Sequence, residues 1–123
     1  MPLLDLCPCG STKTYAQCCK LYHDGLINPP TAEALMRSRY SAYVFKLREY
    51  LLRTWHESSR PKFLDFNKSL EWLYLEIISS EAGLESDTEG YVEFKAHYRE
   101  AKKKAYLHEK SLFRKIEGKW LYL

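Results

Sequence analysis

No cysteine occurs beyond position 19, although the chain runs to 123 residues. A disulfide framework spread through the fold is therefore excluded, and thiol chemistry is confined to the N-terminal segment. No apolar run approaches the roughly 20 residues that a membrane-spanning helix needs, so membrane insertion is not expected. Met1-Pro2-Leu3-Leu4-Asp5 lacks the basic and long apolar regions of a secretion signal. Gly-x-Ser-x-Gly elbows, Gly-rich phosphate loops, internal repeats and low-complexity stretches are absent. A strong charge of one sign is missing too: 19 Lys and Arg face 16 Asp and Glu, so direct nucleic-acid binding is not indicated. What remains is one ordinary domain with a small appendage. Its content of 46% hydrophobic and 15% aromatic residues is ample for a packed core.

All four cysteines lie in Cys7-Pro8-Cys9-Gly10-Ser11-Thr12-Lys13-Thr14-Tyr15-Ala16-Gln17-Cys18-Cys19. So compact a cluster would close only tiny disulfide loops, whereas four soft thiolates converging on one point suit a tetrahedral Zn²⁺. Pro8 stiffens the first pair, and Gly10 lets the backbone turn so that amides approach the sulfurs. A four-thiolate site also suits iron, His23 competes as a ligand beside three cysteines, and reduced thiols without metal remain the bland alternative. One zinc per chain would move the formal charge of +3 by −4 for the thiolates and +2 for the ion, to about +1. Thiolate ligands and the missing leader together lead us to expect a reducing, cytoplasmic setting.

The same run resembles the SEC-C motif, named for the C-terminal tail of the SecA translocation ATPase: Cys-x-Cys-Gly-Ser, a basic-aromatic stretch, then Cys followed by Cys or His. Cys7, Cys9, Cys18 and Cys19 match its ligand positions, while Gly10, Ser11, Lys13 and Tyr15 match its loop. Thr12 stands where the motif often has glycine. The resemblance implies a metal knuckle over residues 1–27 that offers Lys13, Tyr15 and Lys20 to a partner, with an acidic protein surface or the ribosome as the partner class.

Asn28-Pro29-Pro30 breaks regular structure, because neither proline has an amide to donate. Thr31 follows as a helix N-cap. Leu35, Met36, Tyr40, Tyr43, Val44, Leu47, Tyr50, Leu51 and Trp55 recur at steps of three and four, the mark of an amphipathic helix. Arg37, Lys46, Arg48 and Arg53 populate the opposite face. One straight helix of that extent would reach roughly 35 Å, so a break is expected near Lys46-Leu47-Arg48. A short stretch to Asn67, loop or helix, precedes strands over Leu70–Ser79, Tyr91–Arg99, Ala105–Ile116 and Lys119–Leu123. Glu85–Gly90, Lys102-Lys103-Lys104 and Glu117-Gly118 read as turns, which predicts an antiparallel meander.

Helices followed by a curled antiparallel sheet form an α+β arrangement. That order is similar to the nuclear-transport-factor-2-like cone, in which helices pack in the concavity of a bent sheet. Met36-Arg37-Ser38-Arg39-Tyr40-Ser41-Ala42-Tyr43, Val92-Glu93-Phe94-Lys95-Ala96 and His108-Glu109-Lys110-Ser111-Leu112-Phe113, with the cysteines, resemble the YchJ-like family of uncharacterised bacterial proteins. The resemblance implies a knuckle over 1–27 and a cone-like domain over 28–123, and it supplies no activity.

Strand alternation puts Leu107, Glu109, Ser111 and Phe113 on one side of the third strand. A core-facing carboxylate needs a partner, and Arg39 or Arg37 on the first helix is the expected one. Arg39, Trp55 and Glu109 are thus the candidate pocket residues, while His97 and His108 read as surface histidines. Two functions follow: an interaction adaptor acting through the knuckle, which we rank first, and a small-molecule-binding or catalytic cone with the knuckle as accessory. Nothing in the sequence demands an enzyme, and an oligomer is compatible with either.

Overall fold

In the computed structural model, which describes residues 5–123, all helices precede all strands. A single 3-10 turn, Tyr15–Gln17, leads into the short helix α1, Cys19–His23; α2 spans Ala32–Phe45 and α3 Arg48–Arg53. The strands are β1 (Leu70–Ala82), β2 (Glu89–Glu100), β3 (Lys103–Ile116) and β4 (Lys119–Tyr122).

The start of α2 follows the local signals. Thr31 sits in extended backbone and its Oγ1 accepts the Ala34 amide at 3.0 Å, satisfying one of the orphan donors of the first turn. The helix breaks where the sequence places the break. Lys46 adopts the left-handed conformation (φ 59°), its amide donates to the Tyr43 carbonyl, and the Leu47 amide donates to Ala42. That pair of bonds is the Schellman closure. α3 is shorter than the apolar period suggests. Trp55 lies beyond it, bridged to Tyr122, where His56 donates to the Tyr122 carbonyl and Tyr122 to that of Thr54. Residues 56–69 form neither helix nor strand; Leu64 and Phe66 anchor that segment against Ala42, Tyr50 and Leu51.

The four strands form one antiparallel sheet in the order β1-β2-β3-β4. The lysine run is only partly a turn: Ala101 and Lys102 carry positive φ, while Lys103 and Lys104 pair with Glu100 and Arg99. Two irregularities in β1, at Trp72/Tyr74 and Ile77/Ser79, bend the strand as bulges do. The loop between β1 and β2 closes on two touching glycines. A Cβ on Gly90 would lie 2.4 Å from the Gly83 Cα, so only glycine permits the approach.

The concave face of the sheet carries Leu75, Val92, Phe94, Ala96, Phe113 and Trp120, and α2 covers it with Ala32, Leu35, Met36 and Tyr40. This is an α+β fold with helices on a curved antiparallel sheet, preceded by a cysteine knuckle.

Candidate functional site

The knuckle and the interior of the cone lie on opposite sides of α2. At 100° per residue, Met36, Arg39, Tyr40 and Tyr43 share one face of the helix and Arg37, Ser38, Ser41 and Phe45 the other.

On the knuckle side the four Sγ atoms lie within 4.8 Å of one another, and no His, Asp or Glu among the described residues joins the group. Cys9 and Cys18 are 3.7 Å apart, Cys18 and Cys19 4.0 Å. A tetrahedron with Zn–S bonds of about 2.3 Å has edges of about 3.8 Å, so donor set and spacing fit a tetrahedral thiophilic metal. Gly10 makes the turn after Cys9 with φ +83°. Ser11 Oγ lies 3.0 Å from the Cys18 sulfur, as an outer-shell partner of a metal thiolate would. Crowding splits the thiols: hydrogen bonds from Cys19 and Cys7 draw the Cys9 pKa down, while those with Cys7 and Cys9, together with burial, push Cys19 up. Thr12, in the loop, has φ 72°, an uncommon conformation for a β-branched residue.

Of the three residues expected to face a partner, Tyr15 and Lys20 differ from the sequence expectation. Tyr15 is 2% exposed, so it is no exposed contact residue. Its ring packs edge-on to Phe45 at 4.7 Å between centroids, and its hydroxyl meets His23 Nδ1 at 2.7 Å. A segment of this length cannot cover an aromatic ring by itself, and α2 supplies the cover. Lys20 is tied to Asp24 one turn on. Lys13 is exposed and makes no ion pair among the described residues.

His23 is not among the sulfur-bearing group, because both its ring nitrogens are engaged elsewhere. Nε2 lies 2.9 Å from the Ser38 carbonyl, which only accepts, so Nε2 carries the proton and Nδ1 accepts from the Tyr15 hydroxyl. Burial lowers the His23 pKa and holds the ring neutral. Arginines complete the clasp: Arg37 Nη1 donates to the Cys9 carbonyl, and Arg53 Nη2 donates to the carbonyls of Tyr22 and His23 at 3.2 and 3.3 Å.

On the other side of α2 a cavity of about 300 Å³ opens between helix and sheet. It brings together Arg39, Trp55 and Glu109, with Tyr40, Tyr43 and Tyr122 among the aromatic lining. The expected ion pair does not form, since no salt bridge joins Arg39 or Arg37 to Glu109 among the described residues. Arg39, 3% exposed, donates from Nη1 to the Leu51 carbonyl at 2.8 Å and to Thr54 Oγ1 at 2.7 Å. Its Cζ lies 4.9 Å from the Trp55 ring centroid and 4.7 Å from that of Tyr122. The end of α3 and two ring faces thus take the place of the carboxylate. Glu109 is half-buried and, among the described residues, accepts only from Ser111 Oγ, at 3.0 Å; its partial exposure leaves the carboxyl group in reach of water.

Sequence reasoning missed Tyr40, Tyr43 and Trp72 as lining residues. The signal was available for the first two, because they share the helix stripe of Met36 and Arg39. His97 and His108 lie on the outer face of the sheet, within 3.0 Å of Glu76 and 2.8 Å of Glu93.

Residues 31–123 match the family model described as YchJ, middle NTF2-like domain, and residues 5–21 match the SEC-C motif. A UPF0225 protein of Streptomyces coelicolor is 46% identical over 116 residues, covering 94% of this chain and 90% of the relative. One from Chromobacterium violaceum is 46% identical over 121 residues, covering 95% and 89%. Among solved structures, a SEC-C motif containing protein from Rhodopseudomonas palustris superposes with a TM-score of 0.83 at 34% identity, covering 94% of this chain and 93% of that one. A second, from Psychrobacter arcticus, gives 0.82 at 32%, covering 98% and 81%.

Proposed function

The chain belongs to the YchJ-like family of UPF0225 proteins, and we propose that it is a zinc-braced small-molecule-binding protein. Cys7, Cys9, Cys18 and Cys19 hold one Zn²⁺, which neutralises the thiolates and cross-links a segment too short to build its own core. Iron is the alternative occupant. The knuckle, residues 1–27, serves the domain of residues 28–123 as a brace on α2. Ligand binding falls to the cavity on the far side of that helix.

The observation that carries this reading is the cavity itself: an aromatic chamber of about 300 Å³ with one buried cation and one half-buried carboxylate. Pockets with a few polar groups on apolar walls are the usual form of a ligand site. We rank binding ahead of catalysis: the lining holds Glu109 and three tyrosines as its groups capable of acid–base chemistry and includes no Ser, Cys, His or Lys. The adaptor reading, with an acidic protein or the ribosome as partner, is favoured by Lys13 alone, since Tyr15 and Lys20 are engaged. It therefore ranks second. Thiolate ligation suits a reducing compartment, and the cytoplasm is the location we assign. No helix among the described residues is long and apolar enough to cross a membrane.

Protein purified without added metal should carry zinc near one equivalent per chain, and Cys9→Ser should lose most of it. Stoichiometric metal retained in a variant lacking both Cys7 and Cys9 defeats the ligand assignment. For the cavity, amide and indole shift mapping with a fragment set should cluster on Ala96, Leu107 and the Trp55 side chain. Shifts confined to residues 10–20 would return the knuckle to first rank.

A further inference from the structure

The polar groups of the cavity restrict what it can accept, and the following rests on the reading of that cavity as a ligand site. Its two charged residues are each committed in part. Arg39 spends its Nη1 on the Leu51 carbonyl and Thr54 Oγ1, and its two faces on Trp55 and Tyr122. Glu109 spends one oxygen, Oε1, on Ser111. No donor reaches its Oε2 among the described residues, and no basic side chain lies within ion-pair distance. A carboxylate has about four lone-pair sites, so Glu109 keeps acceptor capacity in the chamber, beside the Nε and Nη2 donors of Arg39, which no hydrogen bond engages among the described residues.

Charge balance narrows the ligand further. The lining holds one cation and one anion, so a ligand with net positive charge meets the Arg39 guanidinium and one with net negative charge meets Glu109. A neutral molecule avoids both penalties. The walls favour a flat one. Trp72 stands edge-to-face with Tyr40 at 5.8 Å and tilted to Tyr43 at 6.1 Å, and Phe94 adds a further aromatic wall. Such rings gain most from a π-system offered in stacked or edge-on geometry. The chamber is at the small end of ligand sites, which run from about 300 to 1,000 Å³, so a one- or two-ring compound matches it.

We propose that the cavity binds a small, neutral, planar nitrogen heterocycle that presents adjacent N–H donors to the free oxygen of Glu109. The donor pattern is that of a ring lactam N–H beside an exocyclic amine.

Zinc-containing full-length protein is titrated by ¹H–¹⁵N shift mapping with isocytosine, which has that pattern, and with pyrimidin-4-one, which lacks the amine. Benzoate and benzylamine serve as charged probes. Isocytosine should shift Ala96, Leu107 and the Trp55 indole and bind at least tenfold more tightly than the other three. Glu109→Gln, which keeps the shape and removes the charge, should weaken it at least tenfold with the amide spectrum otherwise retained. Preference for benzoate or benzylamine, or isocytosine binding indifferent to Glu109→Gln, overturns the ligand class while leaving the cavity a binding site. Failure of all four probes to move any cavity resonance overturns the ligand class and the cavity reading together.

Discussion

Replacing Arg39 with methionine should leave the protein as stable as before or up to about 1 kcal/mol more stable, despite the burial of the guanidinium and its two strong hydrogen bonds. Burial draws the Arg39 pKa from its ordinary 12.5 down to about 10. At about 1.4 kcal/mol per pH unit, the protonated side chain carries a burden on the order of 3 kcal/mol, borne in full at any pH below about 10. Stacking between Trp55 and Tyr122 offsets roughly 1 kcal/mol per ring, which leaves a residual burden near 1 kcal/mol. Methionine fills nearly the same volume without that charge. The groups Arg39 would abandon are not stranded: Thr54 Oγ1 still donates to the Tyr50 carbonyl at 2.7 Å and reaches that of Leu51 at 3.3 Å. Arg39→Ala, by contrast, opens a hole beside two aromatic rings and should cost about 2–4 kcal/mol. Urea unfolding followed by tryptophan fluorescence, with zinc present throughout, measures both variants. A loss of 3 kcal/mol or more for Arg39→Met would refute the argument. The guanidinium would then be holding α3 to the sheet, and no functional reason for its retention would be needed.

Two further expectations concern the backbone. Thr12→Gly relieves a left-handed conformation costing about 1–2 kcal/mol, against a glycine entropy cost of roughly 0.5–1 kcal/mol; the metal-loaded protein should melt higher by calorimetry, and a lower melting temperature would show that Thr12 is not strained. Gly90→Ala drives a Cβ to within 2.4 Å of the Gly83 Cα and 2.5 Å of its nitrogen, where only backbone movement relieves the contact. It should cost about 1–3 kcal/mol in urea unfolding, and a loss under about half a kcal/mol would mean that the loop opens freely.

Local signals were the ones that sequence could read. The four-cysteine spacing, the Thr31 cap, the prolines before it and the alternation of Val92, Phe94 and Ala96 each depend on neighbours within one or two turns, and each has its counterpart in the structure. What escaped depends on distant partners. Tyr15 reads as an exposed aromatic until Phe45, 30 residues on, covers it. Arg39 reads as half of an ion pair, because a buried cation ordinarily needs an anion; the substitute is a helix-end carbonyl, a threonine and two rings from two separate parts of the chain. The extent of α3 was overread for the same reason. Trp55 keeps the helical spacing, yet its backbone is claimed by Tyr122 at the far end of the chain.

Because α2 is clasped by the cysteine knuckle on one face and walls the cavity with the other, metal and ligand act on a common body. Any ligand that shifts Met36, Arg39, Tyr40 or Tyr43 also moves the helix turns that carry Arg37, Ser38 and Phe45, on which the Cys9 carbonyl, His23 and Tyr15 rest. Were both places occupied as proposed, linkage through α2 would be reciprocal: whatever factor a bound metal contributed to affinity in the chamber, the chamber's ligand would contribute to retention of the metal. If the metal is the zinc proposed above, loading of the chamber would change how long the cysteines retain it against competing thiolates.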